Sequence, residues 1–433
     1  MLLYAHTITP RLRYIAEWIQ EHHLEEPIEC TDAVEKFKNH TGARINYSAQ
    51  RITDKELWIE PHSILFDASI QNIPISVSTN GTFPIFFCGR GDLGFDVLGA
   101  SFYLIARYEE YLPFDPDEYG RYPHDQSIAC QHRFLHRPIV DEWMILFLRC
   151  LQAYFPALQK KENRFVHLAT YDIDESYAYQ YKPLWKQLAG GIRDLLYGRF
   201  DWLRERVRTG LGLQQDPYDS FSQLQQLHAE IGDRPICFIH AGAKSGQYDK
   251  NFSPQHPQQQ RLIRSITDWS AVGLHPSWQT GDEVGLYSQE KKALEAVIDS
   301  AVSRSRQHYI RFLLPVTYQQ LIKAGISDDY SMGYGSVNGF RAGTSRSFRW
   351  FDLSKNEGTE LRVHPFCYME ANSYFELKQS VDQAEVEWKE LEQVTRAVNG
   401  RMITIWHNIF LGSQKRFAGW GHRYFRWMRS VQR

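Results

Sequence analysis

The chain has 433 residues, a net charge of −2, 43% hydrophobic and 23% charged residues. That composition excludes disorder, collagen and coiled coil as the main state, and implies no global attraction to nucleic acid or to an acidic membrane. Aromatic content is high at 14%, with 12 Trp, 24 Tyr and 25 Phe, and such residues either fill cores or stack on sugar rings.

Taken in chain order, residues 2–5 are a short apolar start. Residues 11–23 have helical spacing, with Leu12, Ile15, Trp18 and Ile19 on one face. Residues 57–60, 73–77 and 83–87 read as strands, parted by turn signals such as Asn80-Gly81. Pro74 and Pro84 suit edge positions. Helices are expected over 94–112 and 140–155, the latter ended by Pro156. These elements make residues 1–160 a smaller α/β domain of unknown role.

From residue 165 the pattern changes. Apolar runs at 165–171, 235–239, 271–274, 309–314, 339–342, 359–363 and 402–406 are predicted strands. Helical patterns at 218–231, 289–302 and 316–324 alternate with them. Such alternation predicts a parallel sheet or a (β/α) barrel over residues 161–433. Residues 184–213 are a helical, basic insertion between the first two of these strands, either a solvated hairpin or a lid over a site. Residues 411–433 interleave basic residues with Phe417, Trp420, Tyr424, Phe425 and Trp427. That helix either packs on the barrel or makes a peripheral membrane contact.

The longest apolar run, 143–148, is far short of the roughly 20 residues of a membrane-spanning helix. The amino-terminal residues show no basic leader before a long apolar stretch. The six scattered cysteines include no CxxC pair, which points to reduced thiols. A cytoplasmic location is the expectation.

In parallel α/β sheets functional side chains collect past the carboxyl ends of strands. After the first run comes Asp172-Ile173-Asp174, and residues two apart on a strand share a side. A divalent metal on one carboxylate would leave the other free as a general base. After the third comes His275, followed by Pro276, Ser277 and Trp278. His308 precedes the fourth run, and Arg341 stands between Gly339 and Gly343, where it could clamp a carboxylate. The last run ends in His407-Asn408. An Asp and two His form an ordinary catalytic zinc set, with one position left for water.

The order DxD (172–174), GLHPS (273–277), GFRAGT (339–344) and WHN (406–408) resembles the polysaccharide deacetylase (NodB-homology) carbohydrate esterases, over about residues 165–411. The stretches FYLIARYEEYLP, TYDID, QYDKN, RQHYIRF, DYSMGYGS and GFRAGT are similar to a bacterial subgroup with an uncharacterised amino-terminal α/β domain before the barrel. The resemblance implies a distorted (β/α)7-type barrel that removes N- or O-acetyl groups from a bacterial glycan with a divalent metal, zinc first. It implies Asp172 as catalytic base, Asp174 and His275 as metal ligands, Arg341 as the residue orienting the base, and His407 as general acid. Trp278 and Trp406, with Trp350 as a further candidate, would wall the sugar, and Asn408 would contact substrate. Where the family has a second ligand His, this chain has Gln279. His308 is the expected replacement and His240 its rival. Two other readings compete: a degenerate barrel that binds glycan or a partner protein, which Gln279 favours, and a metal-free glycosidase. The latter needs carboxyls about 5–9.5 Å apart across the bond, which two acids on one strand edge suit poorly.

Overall fold

In the computed structural model, which describes residues 1–431 except 244 and 284, the chain forms two units, each assembled from several stretches of sequence. Unit 1 comprises Met1–Val166, Tyr309–Tyr368 and Val386–Ile403; unit 2 comprises His167–His308, Met369–Glu385 and Thr404–Arg433. Residues after 160 therefore contribute to both.

In unit 1 four short strands lie in the order Glu29–Thr31, Leu2–Ala5, Arg44–Tyr47, Leu57–Ile59, every pair parallel. Parallel neighbours need crossover connections, and the Pro10–His23 helix supplies the first. Thr9 caps it by accepting the Leu12 N–H, and Pro10 opens it. Its buried face includes Leu12, Ile15, Trp18 and Ile19, as the spacing predicts. The helix expected over 94–112 is shorter, Val97–Ile105. Arg107 takes a left-handed conformation (φ 53°) and a single 3-10 turn follows. Residues 73–77 are not a strand: Pro74 lacks a ladder donor, and the hairpin forms instead between Ser78–Asn80 and Phe83–Ile85. Farther along, Glu357–Val363 pairs antiparallel with Phe348–Asp352 and parallel with Asp328–Asp329.

Two further predicted strands are absent. Tyr309 and Ile310 both have positive φ (58° and 53°), which breaks any extended run over 309–314. Residues 339–342 are a loop begun by Gly339 at φ 135°, where a Cβ would lie 2.7 Å from the Leu135 carbonyl oxygen.

In unit 2 the strands Val166–Ile173, Ile236–His240, Ala271–His275 and Arg304–Ser305 lie side by side and parallel. On the other side of Val166–Ile173 comes Arg401–His407, which enters the unit at Thr404. These strands read as apolar runs because both faces are covered; all five residues of Ile236–His240 are buried. The helices Phe221–Ile231, Pro257–Thr267 and Leu286–Ile298 alternate with them. The result is a mixed α/β chain with parallel sheets, and no closed barrel is shown among the described residues.

The insertion is a helical hairpin, Leu184–Leu196 and Phe200–Gly210, tied by Arg206 donating from Nε and Nη2 to Asp194. The closing helix, Trp420–Val431, buries Trp420, Tyr424 and Trp427. Those rings fill the interior and are not offered to a lipid surface, against the peripheral contact expected of this helix. Residues 432 and 433 of that stretch lie outside the described residues. No helix among the described residues is long and apolar enough to cross a membrane.

Candidate active site

Strand alternation places Thr170, Asp172 and Asp174 on one side of Val166–Ile173 and its extension. Asp172 is 2% exposed. Arg306, just past the short strand Arg304–Ser305, donates from Nη1 to Asp172 Oδ1 (2.8 Å) and to Thr170 Oγ1 (2.7 Å). Its guanidinium lies 4.3 Å from the centre of the Phe238 ring. Gly273 makes room for that ring, since a Cβ there would meet it at 2.5 Å.

Asp174 faces three histidines. His275 Nε2 is 3.1 Å from its Oδ1, His308 Nε2 is 3.6 Å from Oδ2, and His407 Nε2 is 3.5 Å from Oδ2. Each histidine is held by its other nitrogen. His275 Nδ1 donates to the Arg306 carbonyl (2.6 Å), His308 Nδ1 meets Asp249 Oδ1 (3.0 Å), and His407 Nδ1 meets Glu370 Oε1 (2.8 Å). This is the outer-shell arrangement that fixes a ring's tautomer and aims its free nitrogen. Asp249 itself accepts the Trp278 N–H and bridges His308 to His240, whose Nε2 is 2.8 Å away.

The charges follow from this geometry. Burial opposes the Asp174 carboxylate, but His308 and His407 outweigh it and hold the group well below the usual range. Burial also pulls His308 down, while Asp174 and Asp249 raise it to about 9. For His407 burial is again opposed, here by Glu370 and Asp174, and the result is about 10. Burial lowers His240, and its bond to Asp249 only partly offsets that.

Asp174, His275 and His308 each offer one ligand atom, all within 4.8 Å of one another. The His275–Asp174 contact tests whether a cation fits. His275 Nδ1 must donate to a carbonyl, so the neutral ring turns a lone pair toward a carboxylate oxygen 3.1 Å away. That oxygen is buried and has no hydrogen-bond partner among the described residues. A proton or a metal ion must lie between two such acceptors, and the one Asp, two His donor set suits zinc. A second group, His240, Asp249 and His308, shares His308 with the first.

Asp172, Asp174, His275, His308 and His407 thus converge. Arg341 does not join them. It lies in unit 1, where Nε and Nη2 donate to Glu110 (2.8 and 2.7 Å) and Nη1 donates to the Gly333 carbonyl. The guanidinium on Asp172 is that of Arg306, which corrects the role carried over to Arg341. His240 meets the cluster through Asp249 and by an edge-on ring contact with His308 at 5.0 Å. Trp278 is half-buried and stacked on Tyr248 at 4.0 Å. Trp406 is fully buried, 4.3 Å from Tyr424, so neither face is open to a sugar. Asn408 is also fully buried, and Nδ2 donates to the Glu175 and Tyr218 carbonyls. Trp350 is buried in unit 1 and donates to the Tyr111 hydroxyl.

Three contributors escape the motif reading: Arg306, Asp249 and Glu370. Arg306 stands two residues before His308 inside RQHYIRF, and Asp249 is the acid of QYDKN. Glu370 directly follows the two-residue strand Tyr368–Met369, the strand-end position that singles out the other acids.

Residues 1–156 match the sequence pattern of a family of unknown function, DUF7033. No curated protein matches the chain. Among solved structures, a protein described as a polysaccharide deacetylase from Mycobacterium smegmatis is similar at 12% identity. The match covers 63% of this chain and 85% of that one, with a TM-score of 0.41. A polysaccharide deacetylase from Bacillus cereus is similar at 11% identity, covering 62% and 88%, with a TM-score of 0.31. Neither likeness carries weight on its own.

Proposed function

We propose that the protein is a metal-dependent hydrolase that removes acetyl groups, N- or O-linked, from a carbohydrate, on a deacetylase-like (β/α) scaffold. The carrying observation is the convergence of Asp174, partly exposed, with the buried His275 and His308, beside a guanidinium-held Asp172 and a carboxylate-held His407. Asp174, His275 and His308 would hold the divalent ion. Bound there, it would acidify a water and polarise the acyl oxygen. Asp172, held by Arg306, whose Nη1 also donates to Thr170, accepts the proton of the attacking water. His407 is fixed through Nδ1 by Glu370, presents Nε2, and as imidazolium gives a proton to the departing amine or alcohol. The pull of Asp174 and Asp249 that places a proton on His308 is the same pull that would favour a metal, so binding would release protons.

The test is acetate release from acetylated oligosaccharides. The expected result is turnover that a chelator abolishes and zinc restores, lost by at least about 10²-fold in Asp172→Asn. Full turnover in that variant removes Asp172 from the mechanism. The binding-module reading rests on Gln279, and glycan binding with no acetate release would favour it.

A further inference from the structure

The helical hairpin of unit 2 carries an apolar face that no described residue covers. Leu184, Leu188, Ile192, Leu195 and Leu196 are exposed by 53% to 82%. At about 100° per residue they share an arc of about 120° on the Leu184–Leu196 helix. The second helix continues the pattern with Phe200 and Val207, and Leu211 follows it, each exposed by half or more. Soluble proteins rarely leave so large a contiguous apolar patch without an occupant.

Charge decides which occupant. Residues 184–213 hold six Lys/Arg against three acids in a chain whose net charge is −2, so positive charge is concentrated on this hairpin. Asp194 is spent on Arg206, Asp201 on Lys415, and Glu205 accepts from the Tyr179 hydroxyl. Arg193, Arg204 and Arg208 make no close ion pair among the described residues, although Asp201, paired with Lys415, also feels the charge of Arg204. By helical position Arg204 and Arg208 flank the apolar stripe of the second helix. Lys186 lies over Trp185, and Arg199 over Tyr197 and Trp202, the aromatic and basic pairing of a membrane–water interface. A second copy laid on this face would oppose arginine to arginine, whereas an anionic bilayer satisfies both the apolar stripe and its basic border.

The base of the hairpin is rigid. Asp216 accepts the N–H groups of Ala178, Tyr179 and Gln180 at 2.8–2.9 Å, so the paired helices project from an anchored stem. We propose that this hairpin docks the protein on an anionic lipid surface, its apolar face at the acyl boundary and its arginines among the headgroups. This stands independently of the hydrolytic reading.

The experiment is flotation of the full chain with vesicles of phosphatidylcholine alone or mixed with phosphatidylglycerol. The variants Leu188→Ser with Ile192→Ser, and Arg204→Ser with Arg208→Ser, change only exposed side chains, and their melting curves confirm folding. The expected result is partitioning onto the anionic vesicles at least about tenfold stronger than onto the neutral ones, weakened by salt. The apolar double variant loses at least about tenfold in partitioning, and the arginine double variant loses the anionic preference. Failure of the wild type to float with anionic vesicles overturns the proposal, as does undiminished binding by the apolar variant. So does a concentration-dependent dimer that the apolar variant dissolves, with no vesicle binding, which would assign the face to a second copy.

Discussion

At the scale of single residues, each candidate catalytic group is defined by the neighbour that holds it. Asp172 is nearly inaccessible, and a buried carboxylate without its cation is costly, about 3–5 kcal/mol when one partner of a buried pair is removed. Arg306 meets that requirement through one guanidinium nitrogen, Nη1, shared between Asp172 and Thr170. Lysine keeps the charge but loses the planar guanidinium that stacks over Phe238 and is shared by Asp172 and Thr170. Arg306→Lys is therefore expected to lower kcat for acetate release by about tenfold or more with KM little changed. Arg341→Lys is expected to lower the melting temperature, because it breaks the two-pronged contact with Glu110. Steady-state kinetics and thermal melts on the two variants separate the roles; a kcat loss confined to Arg341→Lys would reverse the assignment. Sequence spacing could find Asp172, Asp174, His275 and His407 because each sits at a strand end. It could not rank Arg306 over Arg341, because both are arginines near predicted strands and only the partner carboxylate tells them apart.

At the scale of elements, strand ends and helix caps do the positioning. The Val97–Ile105 helix is capped by Asp96, which accepts the Gly99 N–H, the Tyr47 hydroxyl and the His62 N–H while fully buried. Burial pushes this carboxyl up to about 6, and those three donors only moderate it. A folded-state value raised above the ordinary 3.8 means that ionisation disfavours the fold. The contribution is fully favourable below about pH 4 and is lost as pH rises through about 6, a change of about 3 kcal/mol. Asp96→Asn keeps an acceptor for the cap and cannot ionise. Whatever its constant cost, the melting-temperature gap between variant and wild type should move in the variant's favour from pH 4 to pH 7. A gap independent of pH would show that Asp96 does not titrate in this range. Longer elements were legible where periodicity was strong, as in Pro10–His23 and Val166–Ile173. The misread strands at 73–77, 309–314 and 339–342 have apolar or β-prone residues but a proline, two left-handed residues or a glycine turn that stops the ladder.

At the scale of the whole molecule, a boundary near residue 160 describes only the first passage between the two units. Chain after residue 308 returns to unit 1 twice, as Tyr309–Tyr368 and Val386–Ile403, and leaves it each time. Composition and local pattern do not carry that information, because the returning segments resemble the others in their alternation of strand and helix. The high aromatic content resolves in large part into packing: Trp143, Trp350, Trp388 and Trp406 are among the largest fully buried side chains. Of the exposed aromatics, Trp185, Tyr197 and Phe200 cluster on the basic hairpin, while Tyr181 and Tyr309 lie outside it. The central claim is that Asp174, His275 and His308 together bind a divalent ion. It is tested most directly by zinc content after metal loading and desalting, measured on wild type and on His308→Ala, with circular dichroism as the folding control. The account predicts about one zinc per wild-type chain and none retained in the folded variant. A metal-free wild type, or a variant that keeps full stoichiometric zinc, would contradict it.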